Sequence, residues 1–179
     1  MDRGWLIGGV ALVGVALLVM SRRAMSAAMT TTQTYDPMFQ QAAATYGLPD
    51  WRMAKATAMI ESSLDPTAVN DSDPGNPSYG LMQISCRPDP AGVAACDPYQ
   101  FIMPGWPPAS LADLMDPQQN IDYGTYILAQ NIERYGVLRG VAVYNDYAAR
   151  NSPPGGPFPN QTYVDRWLSA YHSIGGAYV

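Results

Sequence analysis

The chain has 179 residues, with 15 acidic and 10 basic side chains, one histidine and two cysteines. That length holds one domain and an appendage. A formal charge of −5 argues against a nucleic-acid partner. One His and two Cys cannot supply a familiar zinc ligand set at suitable spacing, so neither metal nor other cofactor is expected.

Gly4 to Ser21 carries no charge over 18 residues. As a helix it spans about 27 Å, against a bilayer core of ~30 Å. Trp5 stands near one end and Arg22-Arg23 at the other, as in membrane anchors. A cleavable signal peptide would place its charges before the apolar run and small residues after it. Here the arginines follow the run and Asp2 offsets Arg3; Ser26-Ala27-Ala28 is only a weak cleavage site. Residues 1–23 therefore read as one transmembrane helix that meets the lipid membrane through residues 4–21. Gly4 and Gly8 form a GxxxG pair, a weak signal for helix–helix contacts in the membrane. Residues 24–35 read as a linker rich in Thr, Ala and Met. From Ala24 onward, 14 acidic and 7 basic residues leave the domain at formal −7.

The domain, residues 36–179, reads as helices joined by Pro- and Gly-rich loops. Asp36-Pro37 starts the first, with Asp36 as N-cap, and Gly47 ends it. Pro49-Asp50 starts the second, which ends near Ser62. Pro66 and the run Asp73–Pro77 exclude helix beyond it. A polar patch around Tyr79–Cys86 is the one irregular or β-like segment. Cys86 and Cys96 bracket a loop too polar to fold by burial. In an oxidising compartment they are expected to pair, a clip contributing about 2–3 kcal/mol; two unpaired loop thiols are the alternative. Ser110 caps a short helix, with Asp113 three residues on. Asp116 caps a long one, in which Ile121, Gly124, Leu128, Ile132 and Tyr135 recur at helical spacing. Val137–Tyr147 and Gln161–Ser173 complete the set. The fold class is all-α with minimal β.

Chemistry concentrates between Met59 and Ile84. Glu61 is one of two glutamates, the other being Glu133. It closes an apolar helix, where desolvation raises a carboxyl pKa. A carboxylic acid kept protonated near neutrality can donate to a glycosidic oxygen. Ser62 lacks a nearby His and reads as a helix-end hydrogen-bonder. His172 reads as a surface residue.

Glu61-Ser62, Asp65-Pro66, Ala68-Val69-Asn70 and Gly80-Leu81-Met82-Gln83 follow one another in the order of a known signature. Asp116-Pro117-Gln118-Gln119-Asn120-Ile121, Val143-Tyr144-Asn145 and Tyr163-Val164 continue it. Over roughly residues 38–171 the chain resembles the soluble lytic transglycosylase family of the lysozyme-like superfamily. The resemblance implies a cleft beside the glutamate helix, with peptidoglycan glycan strands as partner. It implies cleavage of the N-acetylmuramic acid–N-acetylglucosamine bond, with Glu61 as the single acid and base and a 1,6-anhydro sugar as product. Tyr144 and Tyr163 match cleft tyrosines whose phenols can hydrogen-bond the acid. Gln83 matches a contact to an acetamido group, and Met82 an apolar wall for sugar. Asn70 and Asn145 match polar contacts. Two departures stand out: Asn70 replaces the usual Ser, and Asp146-Tyr147 replaces a small-residue turn.

Two other functions stay open. Hydrolysis would need a second carboxylate, from Asp65, Asp71 or Asp73, to activate water. A non-catalytic structural or glycan-binding protein on the same scaffold is the rival of another class. Such a substrate requires the domain to face the periplasm, whereas Arg22-Arg23 on the domain side favour the opposite topology. A small bacterial membrane-bound enzyme and a virion-associated phage enzyme both accommodate this arrangement.

Overall fold

A computed structural model describes residues 35–73, 75–88, 94–95 and 110–177. The expected anchor with its GxxxG pair, the linker up to residue 34 and Cys96 lie outside these residues. The expected Cys86–Cys96 bond therefore does too. Among the described residues no helix is long and apolar enough to cross a membrane.

Among the described residues six α-helices carry the domain: α1 (Asp36–Tyr46), α2 (Trp51–Ser62), α3 (Leu111–Met115), α4 (Pro117–Tyr135), α5 (Val137–Asn145) and α6 (Gln161–Ser173). Their ends follow local chemistry. Gly47 closes α1 at φ 73°, and the Asp50 side chain caps α2 by accepting from Arg52 N–H. Ser110 and Asp113 form a reciprocal capping box on α3. Asp116 caps α4 through Gln119 N–H.

Two expectations need correction. Asp36 is not the cap of α1. Tyr35 holds that position without a side-chain bond, and the Asp36 carboxylate instead pairs with Lys55 of α2. Lys55 is only 3% exposed, so the pair ties α1 to α2 largely out of water. The helix expected over Val137–Tyr147 stops at Asn145, because Asp146 turns outward to cap a 3₁₀ helix, Tyr147–Asn151, through Ala148 N–H.

The polar patch is a small antiparallel sheet of two-residue strands: β1 (Val69–Asn70), β2 (Ser78–Tyr79) and β3 (Ile84–Ser85), in that order. Val69 faces Tyr79, and Tyr79 faces Ile84. A second ribbon pairs β4 (Arg87–Pro88) with β5 (Ala94–Ala95). The architecture is mostly helical with a small sheet.

The sheet's far turn, Gly80–Gln83, is drawn into the core against α4. Leu81 and Met82 are both wholly buried beside Leu114, Ile121 and Leu128. Asn120 on α4, 1% exposed, makes three bonds there. Its Oδ1 accepts from Met82 N–H at 2.7 Å, and its Nδ2 donates to the carbonyls of Tyr79 (2.9 Å) and Leu114 (2.8 Å). Two glycines make the approach feasible. Gly80 has φ 72°, and a Cβ there would lie 2.4 Å from Asn120 Nδ2. A Cβ on Gly124 would lie 2.4 Å from the Met82 sulfur.

Asn120→Ala removes these bonds, so the buried Met82 N–H and the two carbonyls lose their Asn120 partner. Each such group costs about 1–3 kcal/mol. The variant is expected to lose about 2–4 kcal/mol of stability in urea unfolding. A loss below about 1 kcal/mol would mean that the turn is held by packing alone.

Candidate active site

The acid sits where α2 ends. Its helix is buried through Met53, Ala54, Ala56, Thr57 and Ala58, so Glu61 reaches the end of an apolar face while remaining half-buried itself. The chain then reverses through two consecutive left-handed residues, Ser63 (φ 58°) and Leu64 (φ 64°). Ser63 N–H bonds back to the Ala58 and Met59 carbonyls, which closes the helix without a glycine. Ser62 Oγ donates to the Leu81 carbonyl at 2.8 Å, tying the acid's helix to the Gly80–Gln83 turn.

Across from Glu61 stands α6. Tyr163 O–H donates to Glu61 Oε1 at 2.5 Å. One turn on, Trp167 Nε1 donates to Thr57 Oγ1 (3.1 Å) and to the Met53 carbonyl (3.2 Å). A further turn on, Tyr171 O–H donates to Asp50 Oδ2 at 2.7 Å. The Trp167 and Tyr171 rings stack at 5.0 Å. The glutamate is therefore aimed by a tyrosine on a helix that is itself fastened along α2.

Burial pushes the Glu61 carboxyl up to about 7, against the opposing pull of the Tyr163 hydrogen bond and the Arg166 charge. Tyr163 is pushed well above the usual phenol range by burial and by Glu61, so it remains a donor at any working pH. With Oε1 held by Tyr163, the exchangeable proton falls to Oε2. The group is an acid with a pKa near neutrality and one oxygen fixed by a phenol.

The remaining candidate residues divide. Tyr144 does not bond the carboxyl. Its O–H donates to the Met82 carbonyl at 2.8 Å, and burial together with the nearby Glu61 charge keeps it protonated. Met82 corrects the expectation of an apolar sugar wall: its side chain is 0% exposed and packs on Gly124, while its backbone serves Asn120 and Tyr144. Gln83, at φ 49°, spends its Nε2 on the Ala68 and Gly80 carbonyls, which leaves Oε1 as the acceptor it can offer. Asn70 is exposed on β1 and accepts from Ser72 N–H. Asn145 is exposed at the end of α5, where its Oδ1 accepts from Asn160 Nδ2. Cys86 is buried next to β3, its N–H bonded to the Pro77 carbonyl.

The three aspartates considered for water activation are exposed turn residues. Asp65 accepts from Thr67 N–H and Oγ1, which lowers its pKa, and Asp73 accepts from Gly75 N–H. Asp71 is exposed next to β1. Sequence reasoning passed over Asn120, Trp167 and Arg166. Asn120 lies inside the Asp116–Ile121 motif, and its one signal was an amide set directly before Ile121 on an apolar helix face.

Comparison with known proteins follows the same stretch of chain. The family model for the transglycosylase SLT domain matches residues 37–153. Membrane-bound lytic murein transglycosylase C of Serratia proteamaculans (strain 568) is 38% identical over 96 residues, which is 53% of this chain and 24% of that protein. The chain thus aligns with about a quarter of that relative's length.

The raised pKa of Glu61 makes folding depend on pH with a defined sign. Between the ordinary value of 4.5 and about 7, the folded chain keeps a proton that the unfolded chain has lost. That stabilisation is full below 4.5, declines as pH rises, and is gone above about 7. Glu61→Gln should abolish this component. The difference in Tm between wild type and variant, followed from pH 4 to 8, is expected to shift toward the variant as pH rises. A constant difference would contradict the assignment.

Proposed function

The chain belongs to the transglycosylase SLT domain family, and from that premise we propose that it is a peptidoglycan lytic transglycosylase. The observation that carries the reading is the lone half-buried Glu61, raised to about 7 and oriented by Tyr163. In the proposed reaction Glu61 Oε2 gives its proton to the bridging oxygen as the bond from the muramic anomeric carbon breaks. The substrate's acetamido oxygen shields the developing oxocarbenium ion, as in substrate-assisted glycosidases. Glu61, now a carboxylate, takes the proton of the muramic C6 hydroxyl as that oxygen closes on the anomeric carbon. The acid is restored, no water is consumed, and the product is a 1,6-anhydro sugar.

Tyr163 is the positioning residue. Gln83 Oε1 is suited to accept from an acetamido N–H. Asn70 and Asn145, both exposed, offer amides to sugar hydroxyls, and Tyr144 holds the Met82 carbonyl in the cleft wall. The turn-building duties of Asp65 and Asp73 favour this one-carboxylate route over hydrolysis. Residues 1–23 are proposed as the membrane anchor and 24–35 as the linker, holding residues 36–179 against the wall. The membrane-bound name of the Serratia relative supports that reading.

The test is digestion of purified peptidoglycan by the full-length chain, with product masses measured. Ends lighter by one water are expected. Ordinary reducing ends would establish hydrolysis instead, and an absence of products would establish a binder. Glu61→Gln is expected to lower cleavage by about 10²–10⁴-fold with an unchanged circular dichroism spectrum. Retention of more than about a tenth of the rate would remove Glu61 from the acid role. Tyr163→Phe deletes a bond that lowers the Glu61 pKa, so the alkaline limb of the pH–rate profile should move upward. An unmoved limb would deny Tyr163 that influence.

A further inference from the structure

A concavity of about 320 Å³ lies at the C-terminal end of α4. It is lined by Gln130, Asn131, Glu133, Arg134 and Tyr135 of the last turns of α4 and by Tyr147 of the 3₁₀ helix. None of these side chains belongs to the group around Glu61. Two features mark the site as built to receive something.

The first is Tyr147. It is 54% exposed, one of the few large apolar side chains left in water. It is nevertheless held from two sides. Asp146 caps its helix through Ala148 N–H. Arg150 donates to the Tyr147 carbonyl at 2.8 Å and lays its guanidinium 3.7 Å from the ring centroid. An exposed ring fixed in advance loses little freedom when a ligand covers its open face. This is the residue pair, Asp146-Tyr147, that departs from the family's small-residue turn.

The second is the charge pair. Glu133 and Arg134 are adjacent, exposed and opposite in sign, yet neither forms an ion pair among the described residues. Arg134 rests over the Tyr135 ring at 5.5 Å. Two neighbouring amides, Gln130 and Asn131, can bond a peptide backbone. A carboxylate, a guanidinium, two amides and two phenol rings around one hollow complement a short zwitterionic peptide. Such a peptide offers a carboxylate to Arg134, an ammonium to Glu133 and aliphatic carbons to the rings.

The geometry points to a recognition site for the stem peptide of the wall, a short acidic peptide ending in a diamino acid. The site would hold the peptide branch of a strand whose glycan occupies the cleft beside Glu61. The identity of this ligand rests on the wall-degrading function proposed above.

The probe is a muramyl tripeptide ending in meso-diaminopimelate, titrated calorimetrically into the full-length Glu61→Gln chain; diacetylchitobiose serves as the neutral, peptide-free control. Arg134→Ala or Glu133→Gln, each added to that background, should weaken tripeptide binding about tenfold and leave the control's affinity in place. Arg134→Lys should restore at least half of the lost binding free energy. Unchanged tripeptide affinity in both variants would overturn the proposal. Equal weakening of both ligands would overturn it too, because the effect would then not be peptide recognition. Wall digestion by the wild-type chain separates this outcome from the function itself. Cleavage with binding indifferent to Arg134 and Glu133 removes only the peptide site. Binding dependent on Arg134 and Glu133 without cleavage removes only the catalytic reading.

Discussion

The antiparallel fastening of α6 along α2 is the constraint on which the site depends. Three side chains of α6, at positions 163, 167 and 171, meet α2 and its cap at 61, 57 with 53, and 50. Steps of four on one helix answer steps of about four on the other, so a contact recurs at each turn. The two lower contacts are structural: a buried indole N–H finds acceptors, and a phenol binds the helix cap. The uppermost is the same kind of bond, placed on a carboxyl. The site is thus the last rung of a packing ladder, and its geometry is inherited from the rungs below it.

The Gly80–Gln83 turn, tied to the acid's helix through Ser62, is fastened by different means. The strands are two residues long and could not stand alone in water. Asn120, Ser62 and Tyr144 each spend a side chain on the backbone of the Tyr79–Met82 segment. Three helices therefore shape the turn that borders the acid. The turn's apolar residues, Leu81 and Met82, are wholly buried, and the carbonyls of Tyr79, Leu81 and Met82 accept from those side chains.

What could be read from the sequence was what is local. Caps at Ser110 and Asp116 depend on residues within three positions, and both form as expected. Helix periodicity marked the core face of α4 through Ile121, Gly124, Leu128 and Ile132, all buried. Glu61 stood out because a lone carboxyl on an apolar helix is a local anomaly. What could not be read was long in range. Lys55 meets Asp36 nineteen residues away, and Asn120 meets Met82 thirty-eight residues away. Met82 seemed available to a ligand because a side chain's direction in a turn depends on φ values that composition does not reveal. The partner of Tyr144 is a backbone carbonyl, which carries no residue-type signal at all.

Ser63, Leu64 and Gln83 all hold left-handed backbone without being glycine. Each forgoes about 1–2 kcal/mol relative to an unstrained backbone. Leu64 recovers this by burying its side chain, a gain of about 1.5–3 kcal/mol, and Gln83 recovers part through two hydrogen bonds. Ser63 is exposed and has no such return. A lineage selected in the laboratory for heat resistance would find an easy gain at that position, two residues from the acid. Endurance and the proposed wall cutting would then compete for the same turn of backbone, and variants improved for one are the natural place to look for deficits in the other.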